Sequence, residues 1–189
     1  MHVTSNHKIV GLSPTTPINL NKDMTTMLMV DEEKQYIWDK TFIQIARLMA
    51  EHSTCTRKKV GAVLVKDNRI VSTGYNGTPR GLKHCYEIFT PDKMSKPNYY
   101  EEHGKFSQKY EVHAEQNCII FAGKVFTSCN GCTLYTTLST CRDCAKLVVA
   151  SGISRVVYDE LYDRDQEGIN LLELMGIQVD HFVDKGDNI

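Results

Sequence analysis

Three side chains with soft donor atoms sit at two helix starts between His113 and Cys144, and no other feature limits the fold of this chain so much. The stretch reads His113-Ala114-Glu115, then an apolar helical run, a strand-like Thr133-Leu134-Tyr135-Thr136-Thr137, and Cys141-Arg142-Asp143-Cys144. Cys141 and Cys144 are separated by about one helical turn, so both sulfurs can reach a single ion from a helix N-terminus. That end of a helix also favours the thiolate form. With the imidazole of His113 they make three ligands, one fewer than a structural zinc site uses. Three protein ligands keep a position for water, and Glu115 is placed to handle protons beside it. A fold that satisfies this spacing must turn two helix starts toward one point.

The rest of the pattern supplies such a fold. Helical periodicity runs from Lys34 to His52, with Trp38, Phe42, Ile45 and Met49 at three- and four-residue steps as the expected core face. Val60–Val65 and Ile70–Tyr75 read as two strands joined by a turn at Lys66-Asp67-Asn68-Arg69, an antiparallel hairpin. His113–Phe121 is helical, with Ala114, Cys118 and Phe121 expected on one face and Gly123 as a stop. Thr133–Thr137 is a third strand, Cys141–Ala150 a helix, Arg155–Tyr158 a fourth strand, Glu167–Met175 a helix and Ile177–Val183 a last strand. Strands separated by helices imply parallel pairing, so the expectation is an α/β layered fold with a five-stranded mixed sheet. Two segments stand apart. Residues 1–33 lack a period and read as an N-terminal arm, partly extended or disordered, ahead of a domain over residues 34–189. Leu82 to Val112 reads as a long loop with little periodicity, which is usually functional or fastened by something.

Composition narrows the class. The chain has 189 residues, enough for one domain with a substantial core, and 22 Lys and Arg against 23 Asp and Glu. That balance gives no support to a nucleic-acid partner, which usually brings a basic surface. Seven cysteines, an odd number without the regular spacing of a disulfide framework, favour metal ligation in a reducing cytoplasm, and no stretch approaches a membrane span. Cys129-Asn130-Gly131-Cys132 is a second Cys-x-x-Cys without a paired His-x-Glu; its Asn-Gly reads as a turn, and the pair reads as structural or incidental.

Taken together, Val60-Gly61-Ala62, Gly74-Tyr75-Asn76-Gly77-x-Pro79, His113-Ala114-Glu115-x-Asn117 and Thr137-Leu138-Ser139-x-Cys141-x-x-Cys144-Ala145 resemble the deoxycytidylate (dCMP) deaminases, most of all their bacteriophage type, within the cytidine deaminase superfamily. The likeness runs from about Ile43 to Val183. It implies a three-layer α/β/α fold and zinc-dependent conversion of dCMP to dUMP and ammonia, with zinc on His113, Cys141 and Cys144 and Glu115 as the catalytic proton carrier. It also implies substrate contacts from Asn76, the Ala114 backbone, carbonyls near Ser139 and Thr140, and Tyr162. One departure is Thr140, where the superfamily usually has proline before the first cysteine.

The same resemblance implies a second, structural zinc on Cys55, Cys85, His103 and Glu111, with His84 an alternative fourth ligand. It further implies an allosteric nucleotide site on Gly74, Tyr75, Asn76 and Gly77, where dCTP activates and dTTP inhibits, with Mg²⁺ on the effector's phosphates and a homo-oligomer, commonly a hexamer. Residues alone leave other readings of these positions: Asn76 as a turn residue bonding its own backbone, Tyr162 as a half-buried boundary aromatic, Cys55 and Cys85 as small buried hydrophobes. For the phosphate, Arg142 and Lys124 are candidates. The alternatives in function are a deaminase of tRNA or a free nucleoside, and a non-enzymatic zinc or nucleotide-binding module whose metal has no open position.

Overall fold

The computed structural model describes residues 20–162 and 166–186, with side chains described from Met29 onward. The chain forms two compact units that meet in sequence between Tyr36 and Ile37. The first helix, α1, spans Leu20–Ala50. Helix therefore begins well before Lys34, and the expected arm is helical from Leu20 to Glu33, while residues 1–19 lie outside the described residues. The reason is propensity without amphipathicity: Met, Leu, Lys and Glu favour helix even where no stripe of apolar residues marks it.

From Ile37 onward, five strands form one mixed sheet. They are β1 (Gly61–Lys66), β2 (Arg69–Tyr75), β3 (Thr133–Leu138), β4 (Arg155–Glu160) and β5 (Gln178–His181). Their order is β2-β1-β3-β4-β5. The β1–β2 and β1–β3 pairs are antiparallel; β3–β4 and β4–β5 are parallel. The hairpin turns on Asp67 and Asn68, both with positive φ (49° and 57°), the left-handed pair that matches strand twist in a two-residue turn. The parallel pairs need crossovers, supplied by α6 (Arg142–Ala150) and α7 (Glu167–Leu174). The last strand is shorter than the expected Ile177–Val183.

Every residue of β1 but the last is buried, which requires cover on both faces. Ala62 and Leu64 join Leu134 and Val156 in a core shared with α5 (Ala114–Lys124), α6 and α7 through Ala114, Cys118, Val148 and Leu172. By alternation Gly61 and Val63 face the other way, onto α1. A Cβ on Gly61 would press into the backbone at Ala46 and lie 2.5 Å from the Ala50 nitrogen. On the opposite face, a Cβ on Gly74 would run into the Ala114 carbonyl and come within 2.6 Å of the Cys118 nitrogen. Two glycines thus let the hairpin lie tightly between α1 and α5. The three-layer α/β/α arrangement expected from the sequence is present.

The face of α1 is rotated from the expected one. Asp39, Phe42, Ile43, Ala46 and Ala50 are buried, whereas Trp38 is 40% exposed and stacks on Phe42. A buried carboxylate, Asp39, turns inward in place of Trp38, the apolar residue that periodicity put on the core face. Asp39 accepts two hydrogen bonds from the Arg155 guanidinium at 2.8 Å each and one from the Tyr135 hydroxyl at 2.8 Å, and Arg155 also donates to Asp180 at 2.6 Å. This network ties α1 to β3, β4 and β5. On α5, Phe121 is exposed rather than in the core; Ile119 and Ala122 take the inner face.

The segment read as an aperiodic loop contains helices α2 (Cys85–Ile88), α3 (Pro91–Met94) and α4 (Tyr99–Tyr110). The helix α4 has a stripe, Tyr99, His103 and Phe106, but its central member is a histidine, which hides it from a reading of apolar periodicity. These residues build a small separate core with Cys55, Cys85 and Phe89. The segment is anchored at its root by a two-residue bridge: Gly77 N–H donates to Val112 O (3.1 Å) and Val112 N–H to Gly77 O (2.9 Å).

Candidate active site

The strand β3 pairs antiparallel with β1 and parallel with β4, so the sheet changes sense between β1 and β3, and the carboxyl end of β3 lies at that change. In open α/β sheets that is where ligands collect. Two helices start there. His113 is the N-cap of α5 (φ −71°, ψ 159°) and Cys141 the N-cap of α6 (φ −70°, ψ 165°). The His113 backbone N–H is taken by Gln116 Oε1 at 2.9 Å, which fixes the entry into α5. The two starts face each other as the spacing requires. His113 Nδ1 lies 3.5 Å from Cys141 Sγ and 3.3 Å from Cys144 Sγ. Zinc–sulfur and zinc–nitrogen bonds of about 2.3 and 2.0 Å at a tetrahedral angle give a sulfur–nitrogen edge of about 3.5 Å. The donors fit a zinc ion.

The electrostatics agree. A hydrogen bond with Cys144 brings the Cys141 thiol down to about 4, with the imidazole adding to it, while Cys144 is pushed up by that bond and by burial. The hydrogen bond to Cys141 raises His113 to about 9. Protons are shared among three groups that a cation would hold by their lone pairs instead. Glu115, one residue into α5, is 4% exposed, and burial pushes its carboxyl up to about 7. A carboxyl poised there can hold or release a proton at neutral pH.

A cavity of about 690 Å³, within the range of small-molecule sites, opens onto this cluster. His113, Ala114, Glu115, Ser139, Cys141 and Tyr162 all line it. Ser139 Oγ accepts from the Tyr162 backbone N–H at 2.8 Å, which links the end of β3 to the segment after β4. Thr140, at the usual proline position, is buried, and its hydroxyl has no hydrogen-bond partner among the described residues. Asn76 lines the same cavity, but its amide is largely occupied by the protein. Oδ1 accepts from Val60 N (2.8 Å) and Ser53 Oγ (2.6 Å), and Nδ2 donates to Lys58 O (2.9 Å). The backbone-bonding reading accounts for these contacts, and one amide N–H is left over.

The other expected groups separate. Cys55, Cys85, His103 and Glu111 come together, all within 4.8 Å of one another, with His103 Nε2 at 3.3 Å from each sulfur. Glu111 Oε2 accepts from Ser107 Oγ at 2.7 Å, whereas Oε1 is buried with no hydrogen-bond partner among the described residues. An orphaned carboxylate oxygen beside two sulfurs and an imidazole fits a closed, four-donor metal site. His84 lies apart, on Thr78 and the Tyr86 ring, and does not replace Glu111. Burial and hydrogen bonding split the two thiols: Cys85 is lowered to about 6, chiefly by Cys55, which is itself raised.

Gly74, Tyr75 and Gly77 have packing roles. Gly74 admits α5, Asn117 Nδ2 donates to Tyr75 O (2.7 Å), and Gly77 forms the bridge to Val112. Lys124 is no phosphate candidate. It closes α5 at the end opposite His113, and ten residues of helix rise separate it from Ala114 by about 15 Å. Arg142 does line the cavity and pairs with Glu167 at 3.0 Å. The sequence reading missed Arg57 and Lys58, which also line it; the signal was the basic run Arg57-Lys58-Lys59 between Cys55 and the first strand.

An α/β/α sheet with a three-donor zinc cluster and a buried carboxyl at the end of its sense-changing strand defines a zinc-binding deaminase of the cytidine deaminase fold. The family model for the cytidine and deoxycytidylate deaminase zinc-binding region matches residues 36–160, and the chain belongs to that family of enzymes. It is 38% identical to the deoxycytidylate deaminase of Enterobacteria phage T2, covering 74% of this chain and 89% of that one. It is 32% identical to the deoxycytidylate deaminase of Homo sapiens, covering 80% and 83%. The crystal structure of dCMP deaminase from the cyanophage S-TIM5 in complex with dCMP and dUMP superposes with a TM-score of 0.62 at 33% identity, over 75% of this chain and 94% of that one.

Proposed function

We propose that this chain hydrolyses dCMP to dUMP and ammonia, supplying dUMP for thymidylate synthesis. The observation that carries this reading is the buried Glu115 beside the His113, Cys141 and Cys144 donors, at the floor of a cavity of nucleotide size. A zinc ion held by those three donors lowers the pKa of its water to about 7 and so supplies hydroxide character at neutral pH.

The chain's own groups do the rest. Water oxygen adds to C4 of the pyrimidine, and the C4–N bond to the amino group breaks. Glu115 takes the first proton of the water and delivers it to N3, then takes the second from the new C4 hydroxyl and gives it to the departing amine, which leaves as ammonia. A carboxyl held near 7 by burial is matched to both halves of that exchange. The Ala114 N–H faces the base carbonyl in this reading, backbone carbonyls near Ser139 and Thr140 hold the amino group, Asn76 offers its remaining N–H to the sugar, and Tyr162 covers the base.

Two zinc ions per chain form part of the same proposal, the second on Cys55, Cys85, His103 and Glu111, where it fastens the segment from Leu82 to Val112. So do a catalytic domain over residues 34–189, cytoplasmic location, a homohexamer, and control by dCTP and dTTP with Mg²⁺ through the loop at Gly74–Gly77. The deciding assay offers the purified protein dCMP, CMP, dCTP, deoxycytidine and an RNA stem-loop, and follows ammonia release with and without dCTP or dTTP. Preference for dCMP supports the reading. Equal or greater turnover of the RNA or the nucleoside rejects it, and indifference to both triphosphates removes the regulatory part.

A further inference from the structure

The helix α4 contains a glycine that its own packing does not require. Gly104 is the sixth of the 12 residues of α4, and its φ is not positive, so the backbone there suits any residue. A Cβ on it would meet no atom within 4 Å among the described residues. That separates it from Gly61, Gly74 and Gly168, each pressed against a neighbouring backbone. Glycine inside a helix weakens it relative to alanine, because it surrenders more backbone freedom on folding. Nothing in the fold offsets that loss.

What lies beside Gly104 is the cavity that contains His113 and Glu115. Ser107, Gln108 and Glu111 follow three, four and seven residues later on the same helix face, and all three line the cavity with it. This face of α4 is therefore a wall of the site. His103, the preceding residue, is held in the four-donor cluster with Nε2 at 3.3 Å from each sulfur, which fixes how α4 is turned about its axis. Position along the wall says which part of a ligand meets it. Glu111 adjoins His113 through Val112, and seven residues of helix rise put Gly104 about 10 Å away from Glu111. A pyrimidine ring is shorter than that. With C4 held at the zinc donors and Glu115, the ring ends before Gly104 and the sugar begins.

We propose that Gly104 is a specificity-determining residue, whose missing side chain leaves the room that the deoxyribose of the substrate takes against α4. This rests on the reading of the chain as a dCMP deaminase. The selection is by space, with no charge and no hydrogen bond from Gly104 itself.

The test uses full-length zinc-loaded protein and three variants: Gly104→Ala, Gly104→Leu and Gly123→Ala. Gly123 is the control: it lies near the end of α5, also leaves open space around a Cβ, and is no part of the cavity lining. Steady-state rates are measured for dCMP, and calorimetry measures binding of dUMP and of deoxyuridine. Gly104→Ala strengthens its helix and raises Tm by about 2–4 °C. In spite of that gain, KM for dCMP and Kd for dUMP rise about threefold in Gly104→Ala and about tenfold to a hundredfold in Gly104→Leu, the scale of methylenes forced into filled space. Across the series kcat stays within about threefold of the parent. Deoxyuridine, which carries the same sugar, loses affinity by the same factor as dUMP, and zinc content stays at two ions per chain. Gly123→Ala leaves KM and both Kd values at their parental level.

The proposal is overturned if Gly104→Leu, folded and with full zinc, leaves the dUMP Kd unchanged, or weakens dUMP while sparing deoxyuridine. Where Gly104→Leu fails to fold or loses zinc, Gly104→Ala decides, and KM and Kd equal to the parent overturn the proposal. Protein that turns over no dCMP, yet binds dUMP and deoxyuridine less tightly after Gly104→Leu, keeps the wall and refutes the parent reading instead. Inert protein with unchanged binding overturns both.

Discussion

Gly168, in the first turn of α7, packs so closely on Thr140 that a Cβ there would collide with the Thr140 carbonyl oxygen and lie 2.7 Å from the carbonyl carbon of Cys141. The glycine is a condition of the metal cluster, because it lets α7 press on the turn that delivers Cys141. Gly168→Ala is therefore expected to displace a ligand as well as strain a helix contact. Overpacking of this sort costs about 1–3 kcal/mol. Thermal unfolding and zinc content, measured together, check it: Tm falls and zinc is lost more readily to a chelator. A Tm drop with zinc retention equal to the parent counts against the link to Cys141.

Glu115→Gln keeps the shape of the buried side chain and removes its proton exchange. The expected outcome is a folded protein with full zinc content and a kcat for dCMP lower by about 10²-fold to 10⁴-fold. Residual activity within tenfold of the parent assigns the proton work elsewhere.

The four-donor cluster gives a prediction in metal stoichiometry. Cys85→Ser or Glu111→Gln lowers zinc from two ions per chain to one, and the segment from Leu82 to Val112 becomes a site of protease cleavage while the His113 cluster keeps its ion. One zinc in the parent protein with all cysteines reduced refutes the second site.

Asp39 and Arg155 give a prediction about stability alone. Asp39→Ala leaves a mostly buried guanidinium with only Asp180 and strips the Tyr135 hydroxyl of its acceptor. Breaking one side of such a pair costs about 3 kcal/mol or more, whereas replacing both partners with apolar residues costs less. Denaturant midpoints for Asp39→Ala and for the double change Asp39→Leu with Arg155→Met test the difference. Equal losses mean that the ion pair itself, rather than the unpaired charge, sets the effect.

The metal chemistry was legible because it is local. The turn spacing of Cys141 and Cys144, and the two helix starts, follow from short-range geometry, and the strand order of the parallel half follows from the helices between strands. What the sequence hid depends on tertiary partners. Asp39 reads as a solvated helix charge until Arg155 and Tyr135 are brought to it by two distant strands. Trp38 reads as core until that carboxylate turns the helix. The helix α4 conceals its inward stripe because a metal-type ligand, His103, stands where a leucine would. Gly74 belongs to a nucleotide-binding pattern in sequence, and only the folded chain shows that α5 also touches β2 there.

The bridge between Gly77 and Val112 has a consequence for how such a protein can change over time. The chain leaves the sheet layer at Gly77 and returns at Val112, and those two residues are hydrogen bonded to each other. Everything from Thr78 to Glu111 is thus a detour with a single doorway. It can lengthen, shrink or be exchanged without shifting a strand, and the next residue after the doorway is His113. The detour can vary while the strands and the helix start that hold His113 keep their places.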